Sequence, residues 1–255
     1  MTPPALVVHI PHTSLVVPAD VAADLLLTAE KLEHELLAMT DRYTDELFAL
    51  PADLATTVRF PVSRLVVDPE RFVDDVREPM SRKGMGVIYT RTADGHPLRH
   101  PPPGAERQRL LALFYEPHHA DLTIAVANAL ASHGTCLVVD GHSFPTRALP
   151  YEDDQSPERP DICIGTDTTH TPVWLRDAAV RAFEALGWTV AVDRPFAGAL
   201  VPMRFYRQDV RVRAIMVEVR RGLYMDERSG ARLPRFDEVR ERMAGAVKVI
   251  ATAGA

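Results

Sequence analysis

The sequence predicts an α/β fold: one domain with a mostly parallel or mixed central sheet flanked by helices. Three observations point there. Short β-branched runs alternate with stretches of helical periodicity. The runs are apolar along their whole length, as strands covered on both faces must be, instead of at every second residue. The 255 residues show no repeat, no low-complexity tract and no linker that would divide them.

The elements follow in order. Residues 5–10, ALVVHI, predict a buried strand feeding a loop at Pro11. Residues 28–49 carry apolar side chains near a 3.6-residue period and predict a helix capped by Thr28. Residues 55–60 and 62–67 predict two strands. Residues 76–104, rich in Pro, Gly and charge, predict a long loop over a site. A helical region from Ala105 to Ser132 is expected to be divided or kinked at Pro117. TCLVVD (135–140) predicts a strand, and residues 146–170 a second long loop. A helix over 173–186 stopping at Gly187, strands over 188–192 and 214–221, and a helix from about Phe236 to Ala251 complete the order.

Composition narrows the function. Hydrophobic residues make up 46% and charged residues 25%, the balance of a globular chain. A formal net charge of -6 argues against a nucleic-acid binder, which needs a basic face to displace counterions. Cys136 and Cys163 each lie in an apolar run and read as buried thiols. No window approaches a membrane span, and the first residues lack the basic segment of a secretion signal. A cytoplasmic protein without membrane or nucleic-acid partners is expected.

In an open parallel sheet, sites form beyond the carboxyl ends of the strands. The strand ending at Ile10 leads to His12, and the strand ending at Asp140 leads to His142. The strand AIMVEVRR carries Glu218 inside an apolar run. Two histidines and a carboxylate at equivalent places in one sheet can converge on a metal. Taken singly, a histidine after a strand is more often a hydrogen-bonded loop residue than a ligand, and a glutamate in a strand can simply pair with Arg220 or Arg221. His118 and His119, after Pro117, are candidates for a supporting role, while His9, His34, His96, His100 and His170 read as structural or exposed.

The segments PHTS, TDRYTDEL, SRLVVDPERF, GVIYTRTADGHPL, EPHHADL, VVDGHSFP, DICIGT, RPFAGALVP and EVRRGLYMDE occur in this order from about Val7 to Glu227. Together they resemble the N-formylglutamate amidohydrolases, a branch of the zinc carboxypeptidase and aspartoacylase architecture with a phosphorylase/hydrolase-like fold. The resemblance implies one Zn2+ per chain, held by His12, Asp41 and His142. Leu15 stands where carboxypeptidases carry their glutamate ligand, so Asp41 substitutes for it, with Asp45 and Glu35 as fallbacks. It further implies Glu218 as general base and Arg64 at the carbonyl oxygen. Arg71 would hold a substrate carboxylate, with Asp68, His119 and Arg220 alongside, and Asp140 would orient His142. The implied substrate is a small N-acyl amino acid carrying a carboxylate, N-formyl-L-glutamate above all. Glu70 and Asp193 stand where nearer relatives carry asparagine, which leaves another deacylase or small peptidase open as the activity. A metal- or ligand-binding protein without turnover is the remaining alternative, and the presence of Glu218 argues against it.

Overall fold

The computed structural model describes residue 2 and residues 4–253. Strand β1 (Leu6–Ile10) is followed by α1 (Ala19–Ala23), α2 (Ala29–Met39), α3 (Thr44–Leu47) and β2 (Ala55–Arg59). After a long irregular stretch come α4 (Gly104–Leu110), α5 (Glu116–His133) and β3 (Cys136–Phe144). The chain then forms β4 (Ile162–Gly165), α6 (Val173–Glu184), β5 (Val190–Val192), β6 (Val212–Arg220) and α7 (Phe236–Thr252).

The six strands form one sheet in the order β2-β1-β3-β6-β4-β5. All neighbours are parallel except β4, which runs antiparallel to β6, so the sheet is mixed. Strand periodicity assigns the faces. Leu6, Val8 and Ile10 of β1 join Val139, Ile215, Val217 and Val219 in a core shared with α6 and α7. Val7, Val138 and Ala214 join Leu122, Val126 and Ala129 of α5 on the other face. Both faces are covered, which explains why alternation was absent from the strand sequences.

Five local features depart from the sequence expectations. The helix expected over 28–49 breaks. Thr28 caps α2 as predicted, but Thr40 is extended and Tyr43 takes a left-handed backbone with φ 68°. The break frees the Asp41 N–H to bond the His12 carbonyl at 3.0 Å, which an unbroken helix would forbid. Residues 62–67 form turns instead of a strand. Their amides bond to loops, as in Ser63 N to Val16 O at 2.8 Å, and their apolar side chains fill two smaller cores.

Pro117 does not divide the helix. A π-helical turn, Leu111–Tyr115, precedes it, and Leu111 and Glu116 keep helical dihedrals. The loop expected over 146–170 contains β4, whose four residues are fully buried. β3 also extends further than expected, to Phe144, so His142 lies on the strand and not in a turn.

Candidate active site

The site lies at the carboxyl ends of β1, β3 and β6, the central strands. β3 and β6 pair in parallel, with His142 directly opposite Glu218. Asp140, His142 and Glu218 share the parity of Val138 and Ala214 and therefore one face of the sheet. Gly141 lets the strands close here: a Cβ on it would meet Ile10 Cδ1 and Phe48 Cδ2 at 2.9 Å. His12 arrives in the loop after β1, and Asp41 in the break after α2.

Asp41 ties the two histidines together. Its Oδ2 lies 3.1 Å from Nδ1 of His142 and 3.6 Å from Nδ1 of His12. Its Oδ1 accepts from Nη2 of Arg221 at 2.9 Å, and Arg221 also donates to Ser143 Oγ at 3.2 Å. Burial opposes the carboxylate form of Asp41, but His12, His142 and Arg221 hold its pKa well below the ordinary range.

Asp68 stands behind His12. Its Oδ1 accepts from Nε2 of His12 at 2.9 Å, while its Oδ2 takes Arg64 Nη2 at 2.8 Å and the Tyr89 hydroxyl at 2.5 Å. Tautomer logic follows. A carboxylate at Nε2 places the proton there and leaves Nδ1 as a bare lone pair. Nδ1 of His12 is indeed buried with no partner.

Asp140 stands behind His142 in the same way. Its Oδ1 lies 2.8 Å from His9 Nδ1 and 3.2 Å from His142 Nε2. His9 continues the chain through Nε2 to Nε2 of His118 at 2.8 Å, and burial, with His9 next to it, pushes the His118 pKa down to about 2. Glu70 approaches from the open side, 3.2 Å from His142 Nε2 and 3.8 Å from His9 Nδ1.

Glu218 is 7% exposed, and its Oε2 is buried without a hydrogen-bond partner. Burial pushes its pKa up to about 8; His142 works against the shift and Asp41 adds to it. An orphaned carboxylate oxygen costs a few kcal/mol, so its retention here calls for a partner that the protein itself does not supply.

The donor set fits a metal ion. Donors around one tetrahedral zinc lie roughly 3.3 Å apart, and the two Asp41 separations bracket that value. Among the described residues, the groups of three whose donor atoms all lie within 4.8 Å of one another are His12, Glu70 and His142, and His9, Glu70 and Asp140; Asp41 belongs to neither. Imidazole nitrogen and carboxylate oxygen together suit zinc and its first-row neighbours.

A cavity of about 400 Å³ opens over these groups. His12, Asp41, Arg64, Arg71, His142 and Glu218 all line it, so six of the residues singled out from the sequence converge. Arg64 lies over the Tyr89 ring and donates from Nε and Nη2 to one oxygen of Asp68, Oδ2. Arg71 has a buried Nε without a partner, 3.7 Å from Asp68 Oδ2.

Other candidates lie elsewhere. Asp68 is fully buried and faces His12 and Arg64 instead of the cavity. Arg220 turns to Asp161, and it is Arg221 that reaches the site. His119 bonds the Pro69 carbonyl at 2.8 Å outside this cavity. Asp45 pairs with Arg59 at 2.9 Å, and Glu35 accepts from Ala93 N at 2.7 Å. Both cysteines are buried free thiols with pKa pushed up to about 12 by burial. Sequence reasoning named Arg221 only as a partner for Glu218 and Glu70 only as a replacement for asparagine, and it read His9 as structural or exposed. His9 did carry a signal: it is a polar residue within a run apolar on both faces.

The family profile described as N-formylglutamate amidohydrolase matches residues 4–225. The chain is similar to the crystal structure of N-formylglutamate amidohydrolase from Ralstonia eutropha JMP134, with TM-score 0.86 and 25% identity over 100% of this chain and 94% of that one. A gene product of Agrobacterium tumefaciens shares the fold, with TM-score 0.69 and 21% identity over 97% of this chain and 92% of that one. No curated protein matches the chain. The match over residues 4–225, with the structural likeness along the whole chain, shows that the protein belongs to the N-formylglutamate amidohydrolase family.

Proposed function

We propose that the protein hydrolyses the amide bond of N-formyl-L-glutamate or a related N-acyl amino acid, with zinc as its metal. The products are formate, or another acid, and the free amino acid. One observation carries the reading: Nδ1 of His12 and Oε2 of Glu218 are both buried, both without partners, and both belong to residues lining one cavity beside Asp41. A lone pair and a carboxylate left open together suit a metal site with a general base.

His12 Nδ1, His142 Nδ1 and Asp41 Oδ2 would hold the ion. Asp41 is the better carboxylate than Glu70 on two grounds. It faces the Nδ1 atoms of both histidines, and Arg221 anchors its second oxygen so that the first stays aimed. Glu70 instead meets His142 at Nε2, the nitrogen that faces Asp140. Asp68 and Asp140 would fix the orientation of the two histidines, as carboxylates behind metal-binding histidines do.

When bound, zinc polarises the scissile carbonyl and makes water more acidic. Glu218 takes the proton of the attacking water and passes it to the departing nitrogen. Its raised pKa makes it a stronger base than an exposed glutamate. Arg64, at the cavity wall, stabilises negative charge developing on the carbonyl oxygen. Arg71, whose Nε makes no hydrogen bond, receives the substrate carboxylate and positions the acyl group.

The test is formate release from N-formyl-L-glutamate by zinc-loaded protein, compared with metal-stripped protein. Turnover restored by zinc supports the proposal. A fully loaded protein that hydrolyses no N-formyl or N-acetyl amino acid would overturn it.

A further inference from the structure

The chain has 6 tyrosines, and four of them commit their hydroxyls to the protein. Tyr43 donates to the Gly230 carbonyl at 2.8 Å, and Tyr89 donates to Asp68. Tyr115 donates to the Arg71 carbonyl and Tyr224 to the Arg42 carbonyl, each at 3.0 Å. The hydroxyls of Tyr151 and Tyr206 make no hydrogen bond among the described residues. Of these two, only Tyr151 lines the cavity over His12, His142 and Glu218. It is partly buried, and a buried tyrosine usually finds a partner for its O–H, so this donor is left for a group that enters the cavity.

The surroundings hold Tyr151 in place. Lys83 Nζ donates to its carbonyl at 2.7 Å. Its neighbour Glu152 accepts from Leu149 N at 2.9 Å and pairs with Arg159, both side chains being buried. Tyr151 packs, as Met80 and Leu149 do, against the core around Leu65 and Tyr89. Burial pushes the Tyr151 pKa up; Arg64, Arg71 and Arg221 work against the shift and Glu152 adds to it. The phenolic oxygen is thus within electrostatic reach of three guanidiniums that line the same cavity, and it stays protonated, a donor, at neutral pH.

A count of donors says where this one is needed. Arg71 can meet both oxygens of a carboxylate with one guanidinium fork. The scissile carbonyl oxygen has less. Arg64 gives Nε and Nη2 to Asp68 Oδ2, at 3.2 and 2.8 Å, and Nε also meets the Tyr89 hydroxyl. Only its Nη1 is left without a partner among the described residues. Arg221 is committed to Asp41, Ser143 and the Ala38 carbonyl. An oxygen that gains negative charge has room for two donors, and one N–H leaves it short. We propose that Tyr151 is a further catalytic residue, its hydroxyl donating beside Arg64 to the scissile carbonyl oxygen as negative charge develops there. The inference rests on the hydrolytic reading above. The O–H proton is not transferred, so no covalent step is added.

Tyr151→Phe removes the oxygen and keeps the ring. In zinc-loaded protein, kcat should fall by at least about tenfold on N-formyl-L-glutamate and equally on the corresponding amide, with KM within about threefold. A second measurement does not depend on turnover. It is calorimetric binding of N-methylphosphonyl-L-glutamate, a tetrahedral mimic of the intermediate from N-acetyl-L-glutamate. Its affinity should fall in Tyr151→Phe by a factor similar to that in kcat. N-formyl-L-glutamate should bind alike to Glu218→Gln and to Glu218→Gln with Tyr151→Phe. Tyr206→Phe, which removes the other unbonded hydroxyl, should change neither. Unchanged kcat in Tyr151→Phe overturns the role and leaves the hydrolase standing. A loss confined to the acid, a loss matched in substrate binding, or a loss of zinc or folding overturns it as well. Weakened phosphonyl binding in a protein that turns over no N-acyl amino acid leaves the donor standing and overturns the hydrolase.

Discussion

Asp68 holds His12 from behind: Oδ1 of the acid accepts from Nε2 of the ring at 2.9 Å, while the acid's other oxygen is occupied by Arg64 and Tyr89. This pairing decides which nitrogen of His12 is left open. In Asp68→Asn the acceptor is neutral and the ring is no longer held in one tautomer, so zinc affinity should fall by roughly 10–100-fold. Chelator competition measures this. An unchanged zinc dissociation constant in a folded variant would remove Asp68 from the role.

The metal donors can be separated by content. Wild-type protein is expected to carry one zinc per chain by elemental analysis. His12→Ala and His142→Ala should each abolish it, since a site reduced to two protein donors holds zinc weakly. Asp41→Ala should cost more zinc than Glu70→Ala. The reverse order would transfer the ligand role to Glu70.

Glu218→Gln keeps the shape and removes the base. Turnover should fall by at least ~10²-fold with zinc content unchanged. Activity close to wild type would eliminate Glu218 as the base, and loss of zinc along with activity would assign it to the metal.

Arg71→Ala removes a cavity guanidinium whose buried Nε makes no hydrogen bond. The loss should raise the barrier for carboxylate-bearing substrates by about 2–5 kcal/mol in kcat/KM. The corresponding amide substrate should lose far less. Equal losses on acid and amide would show that Arg71 does not read the carboxylate.

Glu35 gives a pH prediction away from the metal. Burial raises its pKa above the ordinary glutamate range, with the Ala93 N–H working against the shift. A carboxyl whose folded pKa is raised favours folding below its unfolded pKa and loses that contribution as pH rises through the folded value. Glu35→Gln keeps an acceptor for Ala93 N–H and removes the charge. Denaturant titrations should show it more stable than wild type near neutral pH, with the gap closing below about pH 4.5. A gap that persists at pH 3 would assign the effect to packing.

The order of elements and the positions of His12, His142 and Glu218 were legible because strands covered on both faces are written as unbroken apolar runs, and a polar residue stands out in them. The run at 62–67 misled for the same reason: Val62, Leu65, Val66 and Val67 are buried as strand residues would be, but in turns that fill local cores. β4 was hidden because four residues inside a polar segment carry too short a pattern. The break at Thr40 was invisible because apolar spacing continues across it to Leu47. Asp68 and Arg221 act through partners 56 and 180 residues away, and such pairings leave no trace in local spacing.

The strand order has a consequence for how the protein is made. When the first five strands have left the ribosome, they can pair only as two separate pieces, β2-β1-β3 and β4-β5. β6 bonds both and is the last strand synthesised. The nascent chain therefore carries both histidines on one piece, with β3 still an unpaired edge, until β6 arrives with Glu218. The proposed metal donors precede the proposed base in time, and His142 comes opposite Glu218 only at the moment the sheet becomes continuous.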